Sequence, residues 1–418
     1  MSAQAARPMV GDKENTSLIQ RVFRALTYRD FRLMWLGACT STIGTFVQQF
    51  AQSWLVFDLT KDYFYSGLDL FLGQLPIVLL SLIGGVFADR MDRRKLLLMS
   101  QYIQMSSAFL LTLLFYLGVV KVWHILALSF VVGIGQSFGG PAYSALLPTL
   151  VGPEDLNNAI AMNSIQFNIG RIVGPVIGGA AFAALGATWC FALNGVSFIA
   201  VIASLYMIHV KFVPPKSKES ILHSMKEGFR FIQAREGMRQ LILVSFCMSM
   251  LWFPLAAALP GFVQEVFKQG PKTLALLMTC SGAGSVVGGL FVAAKGKVHR
   301  QGQAALIIVT GVGAGIAGFA LSRMLPLSCV LIFIVGAMAM SSASFLSSLA
   351  QLSVGDEMRG RVMSVFNLSF RTGMPVGSLL VGALIPIFGV SVVLVSSGSI
   401  LVALALYFLI LHRGVAAL

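Results

Sequence analysis

Residues 84–95 read GGVFADRMDRRK. Two glycines close a long apolar run, and six of the seven positions from Asp89 to Lys95 are then charged. An apolar run that ends abruptly in charge is how a chain leaves a bilayer, and the composition around it agrees. Of 418 residues, 57% are hydrophobic and 11% charged, whereas a soluble domain has roughly 25% charged residues. A hydrocarbon core about 30 Å thick needs roughly 20 apolar residues per helix. Working outward from the quoted stretch, runs of that kind give twelve expected spans, at 33–58, 66–88, 96–119, 122–150, 158–185, 189–210, 240–267, 273–294, 304–321, 327–352, 362–388 and 390–411. A spanning β-barrel would alternate apolar and polar positions over about ten residues, and these runs are continuous and longer. The polar stretch 1–32 and the long first span, with no small-residue cleavage site, do not read as a removable signal peptide.

Charge placement orients the spans. With twelve, both termini lie on one side, and that side collects 23 Lys and Arg residues, four of them Arg90, Arg93, Arg94 and Lys95. The opposite side has five, Lys61, Lys121, Lys268, Lys272 and Arg323, while Arg171 and Arg371 fall within spans. Basic residues resist translocation, so the termini are expected in the cytoplasm of a multi-pass protein of the cell (inner) membrane. The net charge of +14 is then a topology signal and an attraction to anionic headgroups. It leaves a nucleic-acid partner nothing to explain. Cys39, Cys190, Cys247, Cys280 and Cys329 all lie in spans without CxxC spacing, and the five histidines are scattered. Neither a disulfide framework nor a metal site is expected.

The chain carries one plan twice. Residues 81–87, SLIGGVF, recur as SVVGGLF at 285–291, an offset of 204. Val173, Gly174, Gly179 and Gly186 recur as Val376, Gly377, Gly382 and Gly389, an offset of 203. Each copy holds an even number of spans, so the halves are parallel repeats, an arrangement that puts a transport site between them. The expected organisation is a cytoplasmic segment 1–32, a six-helix bundle 33–210, a cytoplasmic linker 211–239, a second bundle 240–412 and a tail 413–418. In the linker, Pro214 and Pro215 stop a helix. Ile221, Met225, Phe229 and Ile232 then recur at helical spacing beside Lys226, Arg230 and Arg235, as in an interfacial amphipathic helix.

The quoted stretch resembles the signature loop of the major facilitator superfamily, G-x-x-x-D-R-x-G-R-R/K, with Gly85, Asp89, Arg90, Arg93 and Arg94 in matching places and Asp92 where glycine is usual. YRDFRLMWLG (28–37), residues 140–179 and DEMRGRVMSVFNLSFRTGMPVGS (356–378) resemble the subgroup of enterobactin exporters and macrolide efflux proteins. The resemblance implies an all-α membrane fold of twelve helices in two six-helix repeats, and a loop that latches the cytoplasmic side. Asp89 and Arg90 would gate, with the start of the eleventh span near Arg361 as partner and Glu154 and Glu357 as acids for the arginines. Gly170, Gly174, Pro175, Gly178 and Gly179 resemble the G-x-x-x-G-P-x-x-G-G motif of superfamily antiporters, although small-residue packing alone would also account for them.

An arginine at membrane depth costs about 2.5–3.5 kcal/mol, so Arg171 and Arg371 must face protein or water. The repeat places them on nearly equivalent turns, beside Asn168 and Asn367. They read either as cationic contacts for an anionic or polar substrate or as structural pairs. On the first span Gln48 and Gln52 share a face and are the amides expected in the cavity, with Gln49 pointing elsewhere. No acid lies near the middle of a span. Asp58 and Asp69, at the extracytoplasmic ends, are the candidate proton site, with a solvated mouth as their alternative role.

Rival readings are thin. Residues 135–139 fit G-x-S-x-G and 313–318 spell a glycine fingerprint, but neither has the strand context that chemistry needs. No catalytic residue, cofactor or ATP-binding loop is expected. A scaffold or sensor would carry a soluble domain. The expectation is secondary efflux of a small amphipathic molecule by a monomer, driven by the proton gradient, with import or lipid flipping as the alternative on the same fold.

Overall fold

The computed structural model describes residues 23–209, 221–295, 300–412 and 414–416. Residues 1–22 of the expected N-terminal segment, the proline-containing stretch 210–220, Lys297, Arg413 and the side chain of Ile221 lie outside it. Fourteen α-helices are formed among the described residues: α1 Arg29–Thr60, α2 Tyr63–Arg90, α3 Arg93–Tyr116, α4 Val122–Leu146, α5 Leu156–Leu185, α6 Ala187–Met207, α7 Ile221–Gln233, α8 Glu236–Trp252, α9 Leu255–Glu265, α10 Pro271–Lys295, α11 Gln301–Leu321, α12 Leu325–Leu352, α13 Asp356–Phe388 and α14 Val390–Ile410.

Local chemistry sets the ends. The Asp62 carboxylate accepts from the Phe64 N–H at 2.8 Å at the start of α2. Asp92 accepts from the N–H groups of Arg94 (3.0 Å) and Lys95 (3.4 Å) at the start of α3. The residue that replaces the signature glycine is therefore a helix N-cap, a role its short carboxylate fills and glycine fills without a side-chain bond. Gly186 and Gly389, equivalent in the repeat, take φ of +86° and +83° and turn the chain from α5 into α6 and from α13 into α14. Those left-handed turns suit glycine.

Among the described residues eleven helical stretches are long and apolar enough to cross a membrane, against the twelve expected. The one that falls short is α1, where Gln48, Gln49 and Gln52 dilute the apolar run; it still packs lengthwise on α5 and α6. The seventh expected span is two helices, α8 and α9, interrupted at Phe253–Pro254. Proline has no N–H to continue the ladder.

The two halves repeat their packing. Gly170 and Gly174 press α5 onto Thr42 and Phe46 of α1, and Gly373 and Gly377 press α13 onto Phe246 and Met250 of α8. Gly84 meets the carbonyl of Ser137 just as Gly288 meets that of Ala337. Between the halves, α2 packs on α13 and α5 on α10. Because the repeat maps α2 onto α10 and α5 onto α13, these two seams are related by the same pseudo-two-fold axis. The antiporter-like glycines Gly170, Gly174 and Gly178 thus serve close packing of α5 against α1, while Gly179 faces Ala275 of α10 across the seam.

Candidate functional site

Asp69 sits two turns into α2 and is 6% exposed. Its two oxygens accept from Gln52 Nε2 at 3.0 and 2.8 Å, and Oδ1 accepts from Ser129 Oγ at 2.5 Å. Gln52 Oε1 accepts from Gln48 Nε2 at 3.3 Å, and Gln48 Oε1 from Asn194 Nδ2 at 2.7 Å. The result is a hydrogen-bonded chain, Asn194–Gln48–Gln52–Asp69–Ser129, across α1, α2, α4 and α6. Among the described residues no cation pairs with Asp69. A solvated mouth is therefore wrong for Asp69: packing of α1 and α4 over it, which no local pattern announces, removes it from water. Asp58, by contrast, is exposed and pairs with Lys61 at 2.6 Å.

Gln48 and Gln52 do share a face, but that face turns toward α2, α4 and α6. Gln49 is the exposed amide of the three, and it makes no hydrogen bond among the described residues. Asn194 and Ser129 went unread in the sequence. Their one signal was a polar side chain inside an otherwise apolar run.

The two intramembrane arginines differ. Arg171, on α5, lies with its guanidinium carbon 6.0 Å from the centroid of the Trp252 ring, at the end of α8. Its own backbone carbonyl abuts Gly282 of α10, where a Cβ would stand 2.9 Å away. Among the described residues it has neither an acid nor a hydrogen-bond acceptor. Its side chain is half-buried, and a cation over an indole face gains about 0.5–2 kcal/mol. Arg371 is exposed on α13, as is Asn367 one turn before it on the same face. Asn168 folds back to donate to the Ser164 carbonyl at 2.8 Å. Aromatic rings surround this region: Phe253 lies 4.4 Å from Trp252 and 6.0 Å edge-on from Phe370, and Phe46 lies 5.4 Å from Phe167.

The halves are joined at one end. Call the end bearing the 84–95 loop the basic end. At the far end Lys61 Nζ donates to Gln264 Oε1 (3.0 Å), Gln264 Nε2 to Asp58 Oδ1 (3.3 Å) and Tyr63 OH to Glu265 Oε2 (2.8 Å). There Gly67 also lies against the Ser378 carbonyl, and Gly261 against the Tyr63 and Phe57 rings. Toward the basic end, no hydrogen bond or ion pair joins the halves among the described residues.

The loop itself is unlatched. Among the described residues Asp89 and Arg90 make no hydrogen bond or ion pair. Arg93 donates to the carbonyls of Ala88 (3.3 Å) and Ala145 (2.9 Å), and Arg94 to that of Tyr206 (3.0 Å). The expected pairing of these arginines with Glu154 or Glu357 is not made: Glu154 accepts from Tyr28 OH at 3.3 Å, and Glu357 is exposed. Arg361, the expected partner region of Asp89, is instead ion-paired with Glu227 of α7, and Gly228 packs α7 onto the Arg361 backbone. Phe229 faces out, 51% exposed, and Ile232 is buried, so α7 keeps the two-faced character its spacing implies.

Comparison with known proteins gives one consistent picture. Residues 21–415 match the major facilitator family described as transmembrane secretion effector. Macrolide efflux protein A of Streptococcus pyogenes is 26% identical over 392 residues, covering 90% of this chain and 94% of that protein. Enterobactin exporter EntS of Escherichia coli O1:K1 / APEC is 24% identical over 358 residues, covering 86% of each. Among solved structures, a bacterial homologue of the human lysosomal transporter Spinster, inward-facing and unoccupied, superposes with a TM-score of 0.74 at 15% identity, covering 97% of this chain and 99% of that one.

Proposed function

The chain belongs to the transmembrane secretion effector family of the major facilitator superfamily, and on that premise we propose that it exports a small amphipathic molecule by alternating access, driven by the proton gradient. It is a multi-pass membrane transporter, not an enzyme. The G-x-S-x-G serine, Ser137, is fully buried and donates to the Ile134 carbonyl of its own helix.

With the termini in the cytoplasm, the unjoined basic end faces the cytoplasm and the joined far end faces outward, so this conformation receives cargo from inside. The 84–95 loop is open here because its latch belongs to the opposite state. When the halves rock, Asp89 meets the start of α13, where a carboxylate at a helix N-terminus gains about 0.3–1 kcal/mol. The far-end contacts of Lys61, Gln264, Tyr63 and Glu265 break at the same time.

Cargo binds between the halves, in reach of Arg371 and Asn367 and of the aromatic group around Trp252. The observation that carries the reading is Arg171: a guanidinium held between α5, α8 and α10 with no acidic partner among the described residues, leaving its charge for a ligand to satisfy. An anionic or polar face on the cargo supports that pairing, and an apolar face suits the rings. Macrolide efflux protein A and enterobactin exporter EntS, by their names, mark macrolides and siderophores as the compounds to try first. Asp69 is the proton site, since among the described residues it is the one carboxylate of a transmembrane helix that is enclosed and unpaired by a cation. Proton and cargo act through the chain from Asp69 along α1. The protein acts as a monomer.

The test is accumulation of a macrolide, a catecholate siderophore and a cationic dye in cells expressing the wild type or Arg171→Ala, with and without a protonophore. Lower accumulation that the protonophore abolishes is the expected result, with Arg171→Ala losing the anionic compound alone. Unchanged accumulation of all three at confirmed expression would reject export of this cargo class.

A further inference from the structure

We propose that a groove on the outer face of α3 and α4 is a binding site for an anionic phospholipid, separate from the path between the halves. The groove has a volume of ≈690 Å³ and is lined by Lys95, Met99, Tyr102, Ser106 and Leu110 of α3 and by Leu128 of α4, among others.

Its position follows from helix geometry. Ser100 and Ile103 of α3 meet Gly139 and Gly135 of α4, and Phe109 meets Gly195 of α6. The inward side of α3 buries Leu97 and Ala108. The lining residues occupy the remaining side, which in a membrane protein faces lipid. Met99 (51%), Tyr102 (40%) and Leu110 (45%) are exposed there, and bilayer must cover them.

The chemistry is graded along the groove. Lys95 is exposed at the mouth, in the basic loop, with no ion pair among the described residues. Deeper come Tyr102 and then Ser106, whose hydroxyl makes no hydrogen bond among the described residues. Beyond them the walls are aliphatic. From Lys95 to Leu110 the helix rises about 22 Å at 1.5 Å per residue, against a leaflet core of about 15 Å, half of the 30 Å hydrocarbon thickness. A phosphate at Lys95, ester oxygens near Tyr102 and Ser106, and an acyl chain along Leu110 and Leu128 fit that gradient. A cationic or purely apolar occupant would leave Lys95 unanswered.

The site also touches the gate. Asp92 caps α3 through the N–H of Lys95. Tyr102 OH lies 3.2 Å from Tyr206 OH, and Arg94 donates to the Tyr206 carbonyl and lies 5.7 Å from its ring centroid. A lipid seated in the groove therefore borders the loop that carries Asp89.

The full-length protein, purified in detergent and mixed with equal amounts of phosphatidylglycerol and phosphatidylcholine, tests this by native mass spectrometry. The wild type should favour phosphatidylglycerol about fivefold in its first bound lipid, the effect of one lysine near an anionic headgroup. Lys95→Gln should bring the ratio to parity, Ser106→Trp should remove the first binding event for both lipids, and Ser106→Ala should match the wild type. A phosphatidylglycerol with a photoreactive acyl chain should label the peptide spanning 95–110. An unchanged ratio in Lys95→Gln, label confined to other peptides, or protection of that peptide by a macrolide or siderophore but not by excess phosphatidylglycerol would each overturn the proposal.

Discussion

The two halves share a packing plan and differ in what fills it. The apolar core of the C-terminal half runs from Leu241 and Val244 through Val309 and Leu346 to Leu401, and it continues across the seam between the halves into Val47, Phe50, Trp54, Phe57, Tyr63 and Cys190. The rest of the core of the N-terminal half is split in two. One cluster gathers Phe31, Met34, Leu146 and Leu205 toward the basic end, and another gathers Leu55, Leu111, Ile125 and Phe191 toward the far end. Between them lies the polar seam: Ser129 falls between Ile125 and Ala142 on α4, and Asn194 between Phe191 and Phe198 on α6. The repeat conserves where helices touch, as Gly170 with Gly373 and Gly174 with Gly377 demonstrate. It does not copy the chemistry, for the position of Asp69 falls at Lys272–Thr273, at the first turn of α10. A buried polar layer is tolerated only when satisfied, so the seam is a feature the first half has kept at a cost to its core.

The sharpest way to break this contrast is at Asp69. Asp69→Leu strands the Gln52 amide and the Ser129 hydroxyl, each at about 1–3 kcal/mol, and folded protein should fall steeply in a detergent melting assay. Asp69→Asn keeps the shape and an acceptor oxygen, so it should fold. It should lose gradient-driven export by an order of magnitude or more, while energy-independent exchange of cargo across vesicles persists. Protonophore-sensitive export at the wild-type rate in Asp69→Asn would put the coupling group elsewhere.

Next in size is a pair of glycines on one helix. A Cβ at Gly67 would overlap the Ser378 carbonyl, whereas nothing lies within 4 Å of one at Gly85. Gly67→Leu should prevent closure at the far end. Cysteines placed at Lys61 and Gln264, which crosslink readily in the wild type, should then lose most of that crosslink. Gly85→Leu should leave the crosslink intact yet slow transport, because the leucine meets the other half only when the basic end closes. Equal crosslinking in both variants would show that the seam between α2 and α13 does not govern that end.

The arginines come third. Arg171→Ala removes a half-buried charge beside Trp252, and Arg371→Ala an exposed one. Loss of affinity for an anionic cargo, read by isothermal titration, should be severalfold greater for Arg171→Ala. Trp252→Phe should fall between the two, since it weakens the cation–π contact and keeps a ring. If Arg371→Ala is the more damaging, cargo sits nearer the C-terminal half.

Much of this was legible in the sequence, for identifiable reasons. Span lengths follow from bilayer thickness, and the glycine repeat was readable because close helix approach tolerates no other residue there. The interruption at Phe253–Pro254 was readable in principle from the proline. The depth of Asp69 was not: seven residues after Asp62 it looked like part of a mouth, and only the tertiary placement of Gln52 and Ser129 encloses it. The face shared by Gln48 and Gln52 was correctly periodic, but periodicity does not say which neighbour a face meets. The surroundings of Asp89 were not legible from residue types: among the described residues it makes no hydrogen bond or ion pair, while Glu227, on a helix read chiefly for its apolar stripe, holds Arg361.

The smallest expected effect lies at the far-end contacts. Lys61 and Asp58 are exposed and Gln264 is half-buried, and exposed pairs are worth about 0.2–1 kcal/mol. Tyr63, by contrast, is 5% exposed and stacks edge-on to Phe57 at 4.8 Å. Lys61→Ala should therefore shift the balance between states by less than about fivefold, the factor that 1 kcal/mol represents. Tyr63→Phe keeps the ring against Gly261 and removes only the bond to Glu265, so a larger shift from it than from Lys61→Ala would identify that bond as the principal hold. Single-molecule distances across the far end would read both. Should neither variant move the distribution while Gly67→Leu does, backbone packing of α2 on α13, and not the polar bridge above it, keeps this end shut.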